Sequence, residues 1–462
     1  MPTMAKVYWG LGLATATLVT AGLVGKSVVE QAKATADAYL FGYPLVLMDL
    51  TRRYHVQSSG VELNHLRHLR SFPDASFRSV VSPNADTLYS MAHLDLSSEP
   101  QVLSIPDMRG HYYMTPILDA WTNVFTSPGT RTTGEQPRDY LIVGPNWNGQ
   151  TPGNLNVLRS PTNMAWMIGR IESRGPTDYS EINALQDRMT LQPLSTWQGN
   201  DVPKVAAAAV SNTPVKPRQA PDQQLATWTA ESFFTTFCQL LGNNPARPDD
   251  TPALQKMREA GLLNADCRLQ QSALQRLGSW MGYRKVVAAL NDSEHLLDSL
   301  PTHNGWRIPY GIGEYASDYR RRAMVAKFGL GANTNEDAIY PTLRRDGAGQ
   351  ILSGAHRYVL HFDKQQLPPV KGFWSLTLYD QAQFFFANPL DRFAIGDRNA
   401  LHYNPDGSLD LYIQAQAPTA KEQLTNWLPA PATNFNLMLR LYWPAQAVLD
   451  RSWLPPAIKR LD

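Results

Sequence analysis

Hydrophobic residues along this chain keep two different periods, and the places where the period changes divide it. In residues 34–49, ATADAYLFGYPLVLMD, apolar positions fall near helical spacing, so a helix is expected there, interrupted at Gly42 and Pro44. The stretch HVQSSGVELNHLRHLRSFPD that follows shortly after reads as a long loop. Strand-like segments come next at 87–96, 111–118 and 140–144, separated by the turn sequences PDMRG and SPGTRTTGEQPR, and NMAWMIGRIES closes a β-rich unit.

Residues 199–223 combine prolines with an alanine tract and read as an extended connector. Helical spacing then takes over. In QQLATWTAESFFTTFCQLLGNN, Leu225, Trp228, Phe233, Phe237 and Leu241 lie on or near one face, with Gly242 at the expected C-cap. TPALQKMREAGLL and QQSALQRLGSWMGYRKVVAALN extend the helical region, and SDYRRRAMVAKFG is expected to start at Ser317 as N-cap. Past Gly349 the period becomes two: HRYVLHFD, GFWSLTLYD, SLDLYIQAQ and FNLMLRLYWP read as antiparallel strands of a sandwich or jelly roll. The expected fold is therefore mainly β with helices (α+β), two β-sandwich or jelly-roll-like domains separated by a helical insert. The expected boundaries are 1–33, an N-terminal membrane anchor or signal segment; 34–198, the first β-rich domain; 199–330, linker and helical insert; and 331–462, the second β-rich domain.

Composition changes this picture little. The 42 Lys and Arg against 40 Asp and Glu leave a net charge of +2, no field to draw the chain to nucleic acid. The N-terminus adds more. Residues 7–25, VYWGLGLATATLVTAGLVG, are uncharged and flanked by Lys6 and Lys26, a length that suits one membrane helix or a long signal core. Small residues mark a cleavage site poorly, which favours an uncleaved anchor and a periplasmic or envelope location for the body. Only Cys238 and Cys267 occur. Cys238, in FFTTFCQLL, reads as a buried thiol on an apolar helix face, while one bridge to Cys267 stays open in an oxidising compartment.

Candidate chemistry concentrates in the first half. The pieces GIGEYA and GLGANTNEDA lack the setting of a dinucleotide fingerprint and read as turns, and no G-x-S-x-G, Walker or HExxH motif occurs. His65 and His68 in NHLRHLR stand three apart, able to share a metal with Asp86 if helical, or to be a hydrogen-bonded loop pair. Asp86 in SPNADTLYS is either the Asx cap of a turn or a carboxylate at a pocket rim, with Tyr89 on the strand beyond. Asp119, Trp121 and Asn123 at spacing two are expected on one strand face, followed by Arg131 in a Gly-bounded turn. Such a polar set requires a lined cavity or a buried network.

These stretches, with NPLDRFAIGD, DGSLDLYIQ, NWLPAP and LRLYWP further on, resemble the bacterial proteins that join domains of unknown function 1254 and 1214, over nearly everything from Ala34 to Lys459. The resemblance implies two sandwich-like domains with helices between, export, and a homo-oligomer. It implies no single reaction. Carried over by position, it implies a site of His68, Asn84, Asp86, Tyr89, Trp121, Asn123, Arg131, Asn163, Arg170, Trp374, Trp427 and Arg440.

The functional expectation is an exported or membrane-anchored hydrolase or lyase acting on a small organic or saccharide-like substrate between the domains. Its general base is Asp86 or His68, with Asp86 orienting His68 in the simplest arrangement; Arg131 holds an anionic group and Tyr89 acts as acid or donor. Asn84, Trp121, Asn123, Asn163, Arg170, Trp374, Trp427 and Arg440 would contact the substrate. The cofactor is open, with a divalent metal on His68 and Asp86 as a variant. The alternatives are a non-catalytic envelope protein whose Trp121, Trp374 and Trp427 stack on a ligand, or a structural component whose polar set is a buried network.

Overall fold

The computed structural model describes residues 4–78, 80–199, 219–292 and 301–462, with side chains from residue 25 onward. Its centre is one long helix, Met4–Ser59, which runs through Pro44 without a break. The expected interruption does not occur because the segment is enclosed: nearly every residue from Ala38 to Arg52 is buried, and tertiary packing outweighs the roughly 3 kcal/mol that an interior proline costs. Gly42 is required by the same packing, since a Cβ there would stand 2.7 Å from the Phe237 ring. Among the described residues no helix is long and apolar enough to cross a membrane. The uncharged run 7–25 falls, but for Gly25, outside the residues whose side chains are described, as does most of the proline-rich connector.

The first β unit consists of two sheets. Strands Thr87–Asp95 and Met164–Glu172 pair antiparallel along their whole length, from Thr87 opposite Glu172 to Asp95 opposite Met164. Alternation then divides their side chains. Leu88, Ala92, Leu94, Ala165, Met167 and Ile171 enter a core shared with Leu103, Ile105, Tyr140 and Ile142 of the second sheet. Trp166 and Ile168 point the other way, into a helical core built from Tyr39, Phe41, Phe233 and Phe237. This sheet is therefore covered on both faces, which is why its strands read as near-continuous apolar runs. The expected strand at 111–118 is split into Tyr113–Met114 and Ile117–Asp119, because Pro116 lies between them and cannot donate to a ladder.

The helical region also departs in detail from its sequence reading. The segment expected as one helix is two, Pro221–Ala226 and Ala230–Asn243, the second capped by Thr229 accepting from Ser232 N; its end is at Asn244 and not Gly242. Asp318 takes the N-cap role expected of Ser317. Cys238 is not a free thiol: it is bonded to Cys267, which ties Ala230–Asn243 to the loop after helix Thr251–Glu259. The stretch read as a long loop contains the last turn of the first helix and a two-residue strand, Arg67–His68.

The C-terminal strands form where the period of two places them: Tyr358–Phe362, Trp374–Asp380, Leu409–Gln414 and Phe435–Tyr442. Two sheets share a core of Leu360, Phe362, Trp374, Leu376, Leu411, Leu437 and Leu439. The other faces of Trp374–Asp380 and Phe435–Tyr442 carry Ser375, Thr377, Tyr379, Arg440 and Tyr442, all buried. A buried polar face needs a partner, and that partner is the first β unit.

Candidate functional site

The segment SPNAD makes the junction. Asn84 Oδ1 accepts from Asp86 N (2.6 Å) and Thr87 N (3.2 Å), an Asx turn that starts the strand Thr87–Asp95. Its amide nitrogen donates to Tyr89 OH (3.2 Å) and across to Tyr442 OH (2.9 Å). Asp86 is fully buried. Its Oδ2 accepts from Ser375 Oγ (2.7 Å), Oδ1 is paired with Arg398, and Arg440 Nε stands 3.8 Å from Oδ2. Arg398 donates further to the backbone carbonyls of Asp86 and Ser173, and Arg440 to those of Ser82 and Pro83 and to the Tyr379 hydroxyl. One carboxylate from the first half thus meets two guanidiniums from the second.

A second group of side chains adjoins this one. Arg170, opposite Tyr89 in the strand pairing, donates to Asn333 Oδ1 (2.6 Å) and lies 5.0 Å over the Tyr89 ring. Arg440 lies 5.1 Å over the Tyr340 ring, and Asn333 donates to Tyr340 OH (3.1 Å). Arg131 pairs with Asp337 (2.7 Å). Tyr89 and Tyr340 are half-buried and Arg131 keeps a quarter of its side chain exposed, so water reaches the cluster between the two halves. Among the described residues no carboxylate lies within 4 Å of Arg170, and the Nε atoms of Arg170, Arg398 and Arg440 are buried without a hydrogen-bond partner.

Proton affinities follow from this charge distribution. Burial opposes ionisation of Tyr89, but the positive charges of Arg170 and Arg440 and the bond from Asn84 outweigh it, so the phenol is held below its ordinary value. Its neighbours go the other way. Burial pushes Tyr379 up to about 12 and also raises Tyr340 and Tyr442. At the edge of the cluster burial lifts Asp397 to about 6, against the bond it accepts from Trp374 N and the charge of Arg398.

The structure gathers Asn84, Asp86, Tyr89, Arg131, Arg170 and Arg440 of the expected set and scatters the rest. His68 is not paired with Asp86: its Nδ1 meets Ser90 Oγ (2.8 Å), and burial, with Arg70 nearby, lowers it to about 4. His65 Nδ1 meets the Leu63 carbonyl (2.9 Å) on the surface. The metal variant fails with the dyad, since the Asp86 oxygens are taken by Ser375 and Arg398; among the described residues no group of three or more His, Cys, Asp or Glu is placed for a metal. Asp119, Trp121 and Asn123 do not share a strand face. The strand ends at Asp119, whose carboxylate accepts from Trp121 N (2.9 Å) and Asn123 N (2.8 Å) in a turn with Thr122 at φ 70°. Asn163 Nδ2 donates to the Asn243 carbonyl, fastening sheet to helix. Trp121 packs on Phe41 in the helical core, Trp374 against Phe362 in the C-terminal core, and Trp427 donates to Gln414 O. Three tryptophans buried in separate places cannot stack on a common ligand.

Sequence reading missed Ser375, Tyr340, Tyr379, Arg398 and Tyr442. A signal existed: Ser375, Thr377 and Tyr379 alternate with Trp374, Leu376 and Leu378, and a strand with a hydroxyl-bearing face between apolar neighbours asks for a polar partner.

A family model described as a protein of unknown function, DUF1254, matches residues 63–193, and a second such model, DUF1214, matches residues 337–446. The chain belongs to the proteins that join these two domains. Asn84, Asp86, Tyr89, Arg131 and Arg170 come from the first matched stretch; Asp337, Tyr340, Ser375, Tyr379, Arg398, Arg440 and Tyr442 come from the second. The pairing of the two domains thus builds the cluster. The chain is similar in fold to the crystal structure of the VPA0106 protein from Vibrio parahaemolyticus, at 22% identity and TM-score 0.71 over 94% of this chain and all of that one. An uncharacterized protein from Burkholderia cenocepacia, at 12% identity and TM-score 0.44 over 96% of this chain and 98% of that one, is too distant to inform the reading. No curated protein matches the chain.

Proposed function

We propose that the chain is an exported or membrane-anchored enzyme of the hydrolase or lyase class, acting on a small anionic organic or saccharide-like substrate bound between its two halves. The observation that supports the reading is charge balance. Arg170 and Arg440 lie over Tyr89 and Tyr340, the Asp86 carboxylate beside Arg440 is already shared with Arg398, and among the described residues Arg170 has no carboxylate within 4 Å and its Nε no hydrogen-bond partner. A buried guanidinium without a counter-charge costs several kcal/mol, and a substrate carboxylate or phosphate is the group that would complete it.

Tyr89 would face that anion with a phenol proton held less tightly than usual, suited to accept and return a proton. Arg131, partly exposed beside Asp337, would orient the substrate. Asp86 and His68 take no chemical step in this reading. The carboxylate positions Arg398 and Arg440, and the imidazole holds Ser90.

The test is thermal unfolding of the whole chain with inorganic phosphate, uronic acids and hydroxy acids, followed by turnover assays on whichever anion stabilises it. Arg170→Gln is expected to lose the ligand-induced rise in Tm. Tyr89→Phe is expected to keep the rise, to lose turnover by about 100-fold or more, and to remove the alkaline limb of the pH-rate profile. An anion that stabilises wild type and Arg170→Gln equally would sink the proposal. The closed bonding of Asp86 favours one second reading, a non-catalytic binding protein: stabilisation lost in Arg170→Gln, with no turnover in wild type under any pH.

A further inference from the structure

The helix Ala273–Asn291 buries only one face. Gly278, Ser279, Gly282, Tyr283, Val286 and Leu290 are covered, while Leu274, Leu277, Trp280 and Met281 are 43%, 48%, 55% and 46% exposed. Its buried face lies against the first helix at very short range. A Cβ on Gly278 would come within 2.7 Å of the Val28 carbonyl and the Gln31 side chain, and one on Gly282 within 2.1 Å of the Ala32 carbonyl. Ser279 Oγ meets Gln31 Nε2 (3.0 Å) and Thr35 Oγ1 (2.9 Å), and the Tyr283 ring stands 5.1 Å from that of Tyr39. Rising numbers meet rising numbers, so the two helices run side by side in the same direction.

That direction places the exposed face. Gly278 stands level with Val28 and Gln31, three to six residues past Gly25, where the uncharged run 7–25 ends. At 1.5 Å per residue this is about 5–9 Å beyond the end of the run. The headgroup layer of a bilayer is on the order of 5–8 Å thick on each side. Leu274 and Leu277 precede Gly278 and so lie closer still to the end of the run, while Trp280 and Met281 stand about 3–5 Å beyond Gly278, at the outer edge of the headgroup layer. The charges along Ala273–Asn291 are Arg276, Arg284 and Lys285, with no acidic residue, and Arg284 lies 5.1 Å over the Trp280 ring. Apolar residues with a tryptophan and only basic charges are the composition of a surface that rests in an anionic membrane interface.

We propose that Leu274, Leu277, Trp280 and Met281 form a membrane-contact face, seated in the headgroup layer of an anionic bilayer beside the N-terminal anchor. The inference rests on the anchored reading of residues 7–25. Two contacts, one through the anchor and one through this helix, fix the tilt and rotation of the body relative to the membrane.

The experiment uses the full chain in vesicles of phosphatidylethanolamine and phosphatidylglycerol with brominated acyl chains. The native cysteines are bonded to each other, so Leu277→Cys and Ala288→Cys variants each carry one reactive thiol for an environment-sensitive dye. Ala288 is exposed on the same helix, eleven residues and about 16 Å further from the bilayer. The dye at 277 is expected to be quenched at least two-fold more than the dye at 288, less so when phosphatidylcholine replaces the anionic lipid, and Trp280→Phe is expected to lose a lipid-quenchable part of the tryptophan emission. Equal quenching at both positions in vesicle-bound protein overturns the inference and leaves the anchor standing. Dye at 277 that is shielded without lipid, together with unlabelled Leu277→Cys that oxidises to a disulfide between two copies, assigns the face to self-association instead. A chain that does not float with vesicles at all removes the anchor and the inference together.

Discussion

Asp86→Ala removes the one carboxylate that Arg398 and Arg440 share and leaves both guanidiniums buried. Arg398 is 13% and Arg440 5% exposed at the side chain, so water cannot replace the lost charge without opening the junction. Breaking a buried pair from one side costs roughly 3–5 kcal/mol, because the partner keeps its desolvation penalty without its compensation. That is a large part of the roughly 5–15 kcal/mol that holds a domain folded. At about 2.1 cal/mol/K of unfolding entropy per residue, a 462-residue chain shifts by roughly 1 °C per kcal/mol, so Tm should fall by about 3–5 °C. Calorimetry of the full chain is the assay, and because the bond spans the two halves, the single transition should also broaden or split. Asp86→Asn keeps the Ser375 hydrogen bond but not the charge, and most of the loss should remain. Asp86→Asn combined with Arg398→Met should recover part of it, since the second change removes one uncompensated guanidinium. Added salt should alter these differences little, as buried pairs are weakly screened. A loss below about 1 kcal/mol for Asp86→Ala, or a double variant whose loss is the plain sum of the singles, would refute the electrostatic account of the junction.

Two further outcomes follow from the same geometry. His55 and His93 face each other at 2.9 Å, with His93 stacked on Trp166; burial, aided by Arg67, lowers His55 to about 4, and burial, His55 and Arg52 lower His93 as well. Their folded-state values are below the unfolded one near 6.5, so the unfolded chain binds protons first and stability should fall as pH drops from about 6.5 toward 4, by at most ~3 kcal/mol for His55. Urea unfolding across that range should show the loss, and His93→Phe should flatten it; a flat wild-type profile would count against the pair. Cys267→Ser opens the bridge to Cys238 across 29 residues, and chain entropy alone predicts a loss of about 3–4 kcal/mol. Calorimetry with and without a reductant checks this, with the variant expected to be insensitive to the reductant.

Local order was legible along much of the chain because it depends on neighbours in sequence. Alternation in HRYVLHFD, GFWSLTLYD and FNLMLRLYWP predicts the strands that form, and the helical spacing of QQSALQRLGSWMGYRKVVAALN predicts helix Ala273–Asn291. The family motifs likewise identified Asn84, Asp86, Tyr89, Arg131, Arg170 and Arg440, six residues that converge. Their roles were not legible. The catalytic reading linked His68 with Asp86, and spacing set Asp119, Trp121 and Asn123 on one face, whereas the partners are Ser90, Ser375, Arg398 and a turn.

The reason is the distance over which each choice is made. The sequence by itself determined periodicity, turn chemistry and which residue types had to be satisfied if buried, because those rules act within a few residues. Tertiary structure alone decided that Pro44 stays inside a helix, since the enclosing aromatic layer acts on it from elsewhere in the chain. It also decided that Asp86 answers to Arg398, 312 positions away, and that Tyr89 lies between two guanidiniums from different halves. Charge and hydrogen-bond partners across a domain junction are fixed by the docking of two folded surfaces, and no local pattern encodes which polar face will meet which.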